Sequence, residues 1–118
     1  MMDGVPPPSR EALDLPVLTE RAKAAGVVLK ALSHESRFLL LCMMADGERC
    51  VGELGSLLDL RQSAVSQQLA RLRLDGMVKP RRDGKTIFYS IADENVRRIV
   101  VILYDVYCRQ PRNPDLAS

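Results

Sequence analysis

Three side chains in this 118-residue chain can act as soft nucleophiles or soft ligands: Cys42, Cys50 and Cys108. A thiolate attacks peroxides, disulfides and persulfides, and two thiols brought together can be joined by oxidation. A thiol enzyme needs a base beside its nucleophile or a Cys-x-x-Cys pair. The chain has no such pair, and its one histidine, His34, stands eight residues before Cys42. Catalysis is therefore not expected, and neither is a cofactor. Cys42-Met43-Met44 lies in an apolar stretch, where a cysteine can also be a small buried hydrophobe. Residue types alone leave that reading open.

A second chemistry lies in residues 61–90. Residues 1–60 carry six Lys/Arg against nine Asp/Glu, and residues 91–118 carry four of each. The block 61–90 carries seven (Arg61, Arg71, Arg73, Lys79, Arg81, Arg82, Lys85) against Asp75 and Asp83. The net charge of +2 thus conceals a concentrated basic surface, as expected of a face that meets phosphates. Within it, Gln62, Ser63, Ser66, Gln67 and Arg71 fall on one side of a helical pattern, with Val65, Leu69 and Leu72 on the other. Amides and hydroxyls near a helix N-terminus suit the base edges of a major groove.

The elements that must position these groups follow from spacing. Residues 1–15, with Pro6-Pro7-Pro8, read as a flexible arm, and 111–118 as a flexible tail. One domain is expected over 16–110. A helix runs from about Pro16 to Leu32, with Ala22, Ala25, Leu29 and Leu32 as its stripe. Ser33 is the expected N-cap of a second helix, His34 to Ala45, whose stripe is Phe38, Leu41, Cys42 and Ala45. Val51 to Leu58 reads as a short helix with Leu54, Leu57 and Leu58 inward. After a break at Asp59-Leu60-Arg61, a longer helix spans Gln62 to Asp75, with Gly76 as C-cap glycine and Ala70 a further candidate for its apolar side. Val78–Arg82 and Thr86–Ile91 form a hairpin, whose Asp83-Gly84 fits a type I′ turn. The last helix, about Asp93 to Arg109, presents Val96, Ile99, Val100, Leu103, Val106 and Tyr107. That is more apolar surface than a terminal helix of a small monomer needs, so a homodimer is expected.

The result is a mainly α protein with a β-hairpin, in the order α-α-α-α-β-β-α. Two short helices joined by a tight turn, the second polar on one face, make a helix-turn-helix. The hairpin makes the wing, with Arg81, Arg82 and Lys85 near its tip and within reach of phosphates or the minor groove. A two-fold dimer would set two recognition helices about 34 Å apart and read an inverted-repeat operator in double-stranded DNA.

Longer motifs carry a family resemblance. Leu32-Ser33-His34-Glu35-Ser36-Arg37, Gly52-Glu53-Leu54, Gln62-Ser63-Ala64-Val65-Ser66-Gln67-Gln68-Leu69, Leu72-Arg73-Leu74-Asp75-Gly76-Met77-Val78, Arg82-Asp83-Gly84-Lys85 and Phe88-Tyr89-Ser90-Ile91 resemble the ArsR family of bacterial winged-helix repressors over roughly residues 20–108. The resemblance implies a homodimer built from the first and last helices, and repression relieved by an inducer. Arg61 and Glu35 depart from it, where a capping Ser/Thr and a proline are common.

The family senses metals, arsenite or reactive sulfur. Its zinc sites on the last helix need histidines that this helix lacks. Its arsenite motif, Cys-Val-Cys, is here Cys50-Val51-Gly52, one thiol short. No metal site is expected, although Cys50 could still pair with another thiol in a soft-metal or arsenite sensor. Cys42 and Cys108 are placed like the dithiol of the BigR/SqrR-type branch. That resemblance implies a redox switch in which persulfide or oxidation joins them by a disulfide or a sulfur-inserted bridge. Arg109 could favour the Cys108 thiolate. Cys50 has no assigned role. A thiol enzyme and a winged-helix protein-interaction module without DNA are the alternatives from other classes. With no apolar run long enough to cross a bilayer and no signal peptide, a cytoplasmic setting with reduced thiols is expected.

Overall fold

Asp14 opens the first helix, its carboxylate accepting from the Val17 N–H at 3.4 Å, while Pro16 occupies a first-turn position where no N–H partner is needed. The computed structural model describes residues 6–9 and 13–109. The expected tail and most of the expected arm lie outside these residues. Helix α1 (Leu15–Leu32) buries only Ala31, with Val28 and Leu32 against the core. Its expected inner stripe is not a core face, because Ala22, Ala25 and Leu29 are exposed. The helix meets α2 through its C-terminal end, and most of its length is exposed.

Helix α2 (Glu35–Met43) buries Leu40 and Leu41. Its N-cap is His34, which makes no side-chain cap bond. Ser33 instead closes α1, its hydroxyl donating to the Lys30 carbonyl at 2.7 Å. Helices α3 (Val51–Leu58) and α4 (Gln62–Leu74) are joined by three residues. Asp59 takes the left-handed conformation there (φ 54°), and the Leu60 N–H donates to the Gly55 carbonyl at 2.9 Å. Gly55 is buried at this turn, where a side chain would meet the Leu60 carbonyl oxygen at 2.9 Å. Leu57, expected to face inward, is 53% exposed. Ala70 is likewise exposed.

Helix α4 buries Val65, Leu69 and Leu72 and ends as expected at Gly76 (φ 74°). The Gly76 and Met77 amides donate to the Arg73 and Leu72 carbonyls at 3.0 and 2.9 Å, satisfying two of the helix's orphan acceptors. The sheet has three antiparallel strands, not two: β1 (Arg49–Cys50), β2 (Val78–Asp83) and β3 (Thr86–Ile91), in the order β1-β3-β2. Asp83 pairs with Thr86, so the turn residues are Gly84 and Lys85, and of these only Gly84 has positive φ (63°). Glycine first in a two-residue turn suits a type II′ turn rather than the expected type I′.

Asp93 caps α5 (Glu94–Leu103) by accepting from the Asn95 N–H at 2.8 Å, and Val96 and Val100 complete the core. The helix does not continue to Arg109. Tyr104–Cys108 widens into a π-helical turn, with the Arg109 N–H reaching the Tyr104 carbonyl at 2.8 Å. Nothing in the apolar spacing marks that change.

Candidate nucleic-acid interface and thiol pair

The burial of Val65, Leu69 and Leu72 turns the other side of α4 outward, and Gln62, Ser63, Ser66, Gln67 and Arg71 are all exposed. Arg61, the N-cap, gives no side-chain cap bond, so the first amides of α4 keep no protein partner of that kind. The Gln62 side chain runs back over α3, within 3.8 Å of where side chains on Gly52 and Gly55 would begin. Arg71 forms an ion pair with Asp75 at 3.4 Å.

The wing is brought to the same side. Ser66 from α4 and Lys85 from the wing tip line one cleft of about 360 Å³, together with Cys50 and Gly52. Arg82 and Lys85 are exposed and have no ion-pair partner among the described residues. Arg81, expected within reach of phosphates or the minor groove, has an acidic partner within the domain. Its guanidinium grips the Glu48 carboxylate, with Nη2–Oε1 at 2.6 Å, and lies 5.1 Å from the centre of the Phe88 ring. The Arg81 fork holds Glu48 below the usual carboxylate range, and Glu48 raises Arg81 in turn.

Cys42 is half-buried on α2, and Cys108 is exposed at the end of the π-helical turn. The Cys42 thiol is pushed up to about 11, first by burial and second by the charge that Cys108 would carry. Beside Cys42 is a cleft of about 330 Å³ walled by Met43, Val100, Val101, Tyr104 and Arg109. Arg109 is held by Asp105 at 2.5 Å and lies 5.3 Å from the Tyr104 ring centre, so its charge is shared with a carboxylate. Cys50 stands apart, opening α3 while its amide donates to Glu53 Oε1 at 3.1 Å.

Two arginines that the sequence reading missed close the end of α2. Arg49 Nε donates to the Met43 carbonyl at 3.0 Å, and Arg97 Nη1 donates to the Ala45 carbonyl. Among the described residues, no group of three or more His, Cys, Asp or Glu converges as a metal site, and no helix is long and apolar enough to cross a membrane.

A family model described as "Bacterial regulatory protein, arsR family" matches residues 34–79, from the start of α2 into β2. The biofilm growth-associated repressor of Agrobacterium fabrum is 42% identical over 101 residues, covering 86% of each chain. The chain belongs to the ArsR family of bacterial transcriptional regulators. A second relative, the transcriptional activator HlyU of Vibrio cholerae, is 41% identical over 97 residues, 82% of this chain and 90% of that protein. The solved structure of reduced HlyU aligns with a TM-score of 0.77 over 80% of this chain and all of that one, at 42% identity. The homodimeric winged helix-turn-helix DNA-binding domain of Mb0332 from Mycobacterium bovis aligns at 0.68, covering 80% of this chain and 88% of that one, at 28% identity. The fold is accordingly a winged helix-turn-helix. ArsR-family proteins are regulators rather than enzymes, so the thiols belong to a regulatory protein and not to a thiol enzyme.

Proposed function

We propose that this ArsR-family protein is a homodimeric repressor that binds an inverted-repeat operator and is released when Cys42 and Cys108 are joined. One observation carries the sulfur part of this reading: Cys42 of α2 shares a cleft with Tyr104, which begins the turn that ends at Cys108, and with Arg109, which follows it, although 66 residues separate the two cysteines. Gln62, Ser63, Ser66, Gln67 and Arg71 are the proposed readers and positioners on α4, with Arg82 and Lys85 on the wing. Exposed Leu15, Leu29, Val106 and Tyr107, between 64% and 80% accessible, favour a dimer through the first and last helices.

The chemistry follows from the two environments. Cys108, exposed, takes the outer sulfur of a low-molecular-weight persulfide R–S–SH, and R–SH leaves. Cys42 then attacks the Cys108 sulfur, hydrogen sulfide leaves, and a disulfide closes. With peroxide as oxidant, two waters leave instead. The bridge ties α2 to the end of the last helix. It lowers DNA affinity only if the bound and released dimers differ in that separation.

The test begins by selecting duplexes from a random pool with the reduced protein. An inverted repeat bound by a dimer, lost with alanine at Gln62, Ser66 and Gln67, supports the reading. Unchanged binding by that triple variant overturns these residues as readers. A reporter under the selected operator then gives the sign of regulation, expected to be repression. Tight metal binding by the reduced protein with loss of operator affinity, absent in Cys42→Ser, would replace the sulfur reading with a soft-metal one.

A further inference from the structure

The middle strand β3 separates Arg81 from Glu48. Phe88 on β3 pairs with Arg81 of β2 on one side and with Cys50 of β1 on the other, and Glu48 lies two residues before Cys50. Arg81 reaches over the Phe88 ring to bond Glu48 through both Nε (2.9 and 3.1 Å) and Nη2 (2.6 Å). We propose that Glu48 and Arg81 form a clamp across the sheet that sets the angle at which the wing leaves the domain, making Arg81 a positioning residue for the wing rather than a phosphate ligand. This rests on the reading that the wing lies against DNA.

The physical case has three parts. A two-stranded hairpin is marginal on its own, and β1 adds only two residues to it. The clamp fastens the outermost strand to the chain entering β1, across the strand between them. A guanidinium engaged through Nε and Nη2 and lying over an aromatic ring has its geometry fixed twice, and the edge that would grip a phosphate bidentately is already taken by the carboxylate. Arg82, the next residue, and Lys85 at the tip carry no such partner among the described residues, so the phosphate contacts fall to them. The loop that offers Glu48 also runs directly from the end of α2, where Arg49 and Arg97 hold the Met43 and Ala45 carbonyls. The wing is therefore anchored to the same loop that follows the Cys42 helix.

The sign of one substitution separates clamp from ligand. Glu48→Gln removes a negative charge near DNA and frees Arg81. If Arg81 is a phosphate ligand held in reserve, operator affinity rises. If the clamp aims the wing, affinity falls, by roughly fivefold or more as the wing swings away from its phosphates. Reduced full-length protein is titrated onto the selected duplex at fixed salt, with melting curves confirming that each variant is folded. The charge exchange Glu48→Arg with Arg81→Glu supplies the rescue. Each single change is expected to weaken binding, and the pair to return it to within about threefold of wild type, a recovery that removal of a phosphate ligand would not show. Tighter binding by Glu48→Gln, or a double variant no better than Arg81→Glu, overturns the clamp. If neutralising both Arg82 and Lys85 leaves affinity unchanged, the wing does not touch DNA. That outcome sinks the wing reading and the clamp together, and is distinguishable from failure of the clamp alone.

Discussion

Arg97, on α5, donates from its guanidinium to the backbone carbonyl of Ala45, just past the end of α2. A carbonyl just beyond the helix end is thereby taken by the helix that leads to Cys108. Arg49 takes the Met43 carbonyl in the same way. The helix bearing Cys42 is thus tied at its end to α5 and to the sheet. Arg97→Ala should cost about 1 kcal/mol of stability, the net value of one such partly exposed bond. The melting temperature is expected to fall by about 4–8 °C for a domain of this size, and a melting curve matching wild type would show that the bond contributes nothing.

The turn between α3 and α4 has a steric requirement that two glycines separate. A methyl on Gly55 would sit 2.9 Å from the Leu60 carbonyl oxygen, whereas one on Gly52 would meet only Gln62 Nε2 at 3.8 Å. Gly55→Ala is expected to destabilise by about 1–3 kcal/mol, since backbone must shift. Gly52→Ala should be neutral, or stabilising by up to about 1 kcal/mol through helix propensity. Denaturant unfolding of the two variants checks the order. Equal midpoints would contradict the close approach at Leu60.

Thiol reactivity should be ordered and pH-dependent. Burial, and then Cys108, favour the neutral form of Cys42, so its thiolate is lost as pH falls below about 11. At pH 8 about one Cys42 in a thousand is thiolate. Iodoacetamide followed by peptide mass mapping should therefore label Cys108 well ahead of Cys42, with the Cys42 rate still rising about tenfold per pH unit up to about pH 10. Cys108→Ser should speed Cys42 only modestly, because burial is the larger cause. A Cys42 rate that levels off near pH 8 would refute this environment.

The two proposed parts of the DNA surface should fail differently. Lys85→Gln should weaken binding to all sequences alike and reduce the salt slope by about 0.9 for each phosphate no longer neutralised. Gln67→Ala should instead relax preference at particular positions of the selected repeat, by about 1–3 kcal/mol for each base edge no longer read. Titrations at several salt concentrations, against intact and mismatched duplexes, distinguish the two. A sequence-selective effect from Lys85 would move it from positioning to reading.

Much of the architecture was legible because it is local. Val65, Leu69 and Leu72 repeat at helical spacing and are all buried, and Gly76 marks the end of α4. What was not legible depends on distant partners. Strand β1 is two residues long and exists through pairing with Tyr89 and Phe88, far along the chain. Glu48 meets Arg81 across 33 residues, and no spacing rule links them. The stripe read into α1 misled because apolar residues there face outward. In one chain, Leu29 is exposed like a residue awaiting a partner. The π-helical turn at Tyr104–Cys108 has no composition of its own. Within the thiol site, residue types named Cys42 and Cys108 as candidates, and family resemblance singled them out as a pair. Their different environments belong to the fold alone.

The most direct test of the central claim is the operator affinity of one preparation, measured by fluorescence anisotropy in three states: reduced, treated with glutathione persulfide, and reduced again. Intact and peptide masses are read from the same samples. The account predicts tight binding, then a loss of affinity coinciding with a Cys42–Cys108 cross-link, then recovery. It predicts the same course in Cys50→Ser and no affinity loss in Cys42→Ser or Cys108→Ser. An affinity that falls equally in Cys42→Ser and Cys108→Ser, or a Cys42–Cys108 cross-link that leaves operator binding unchanged, would contradict it.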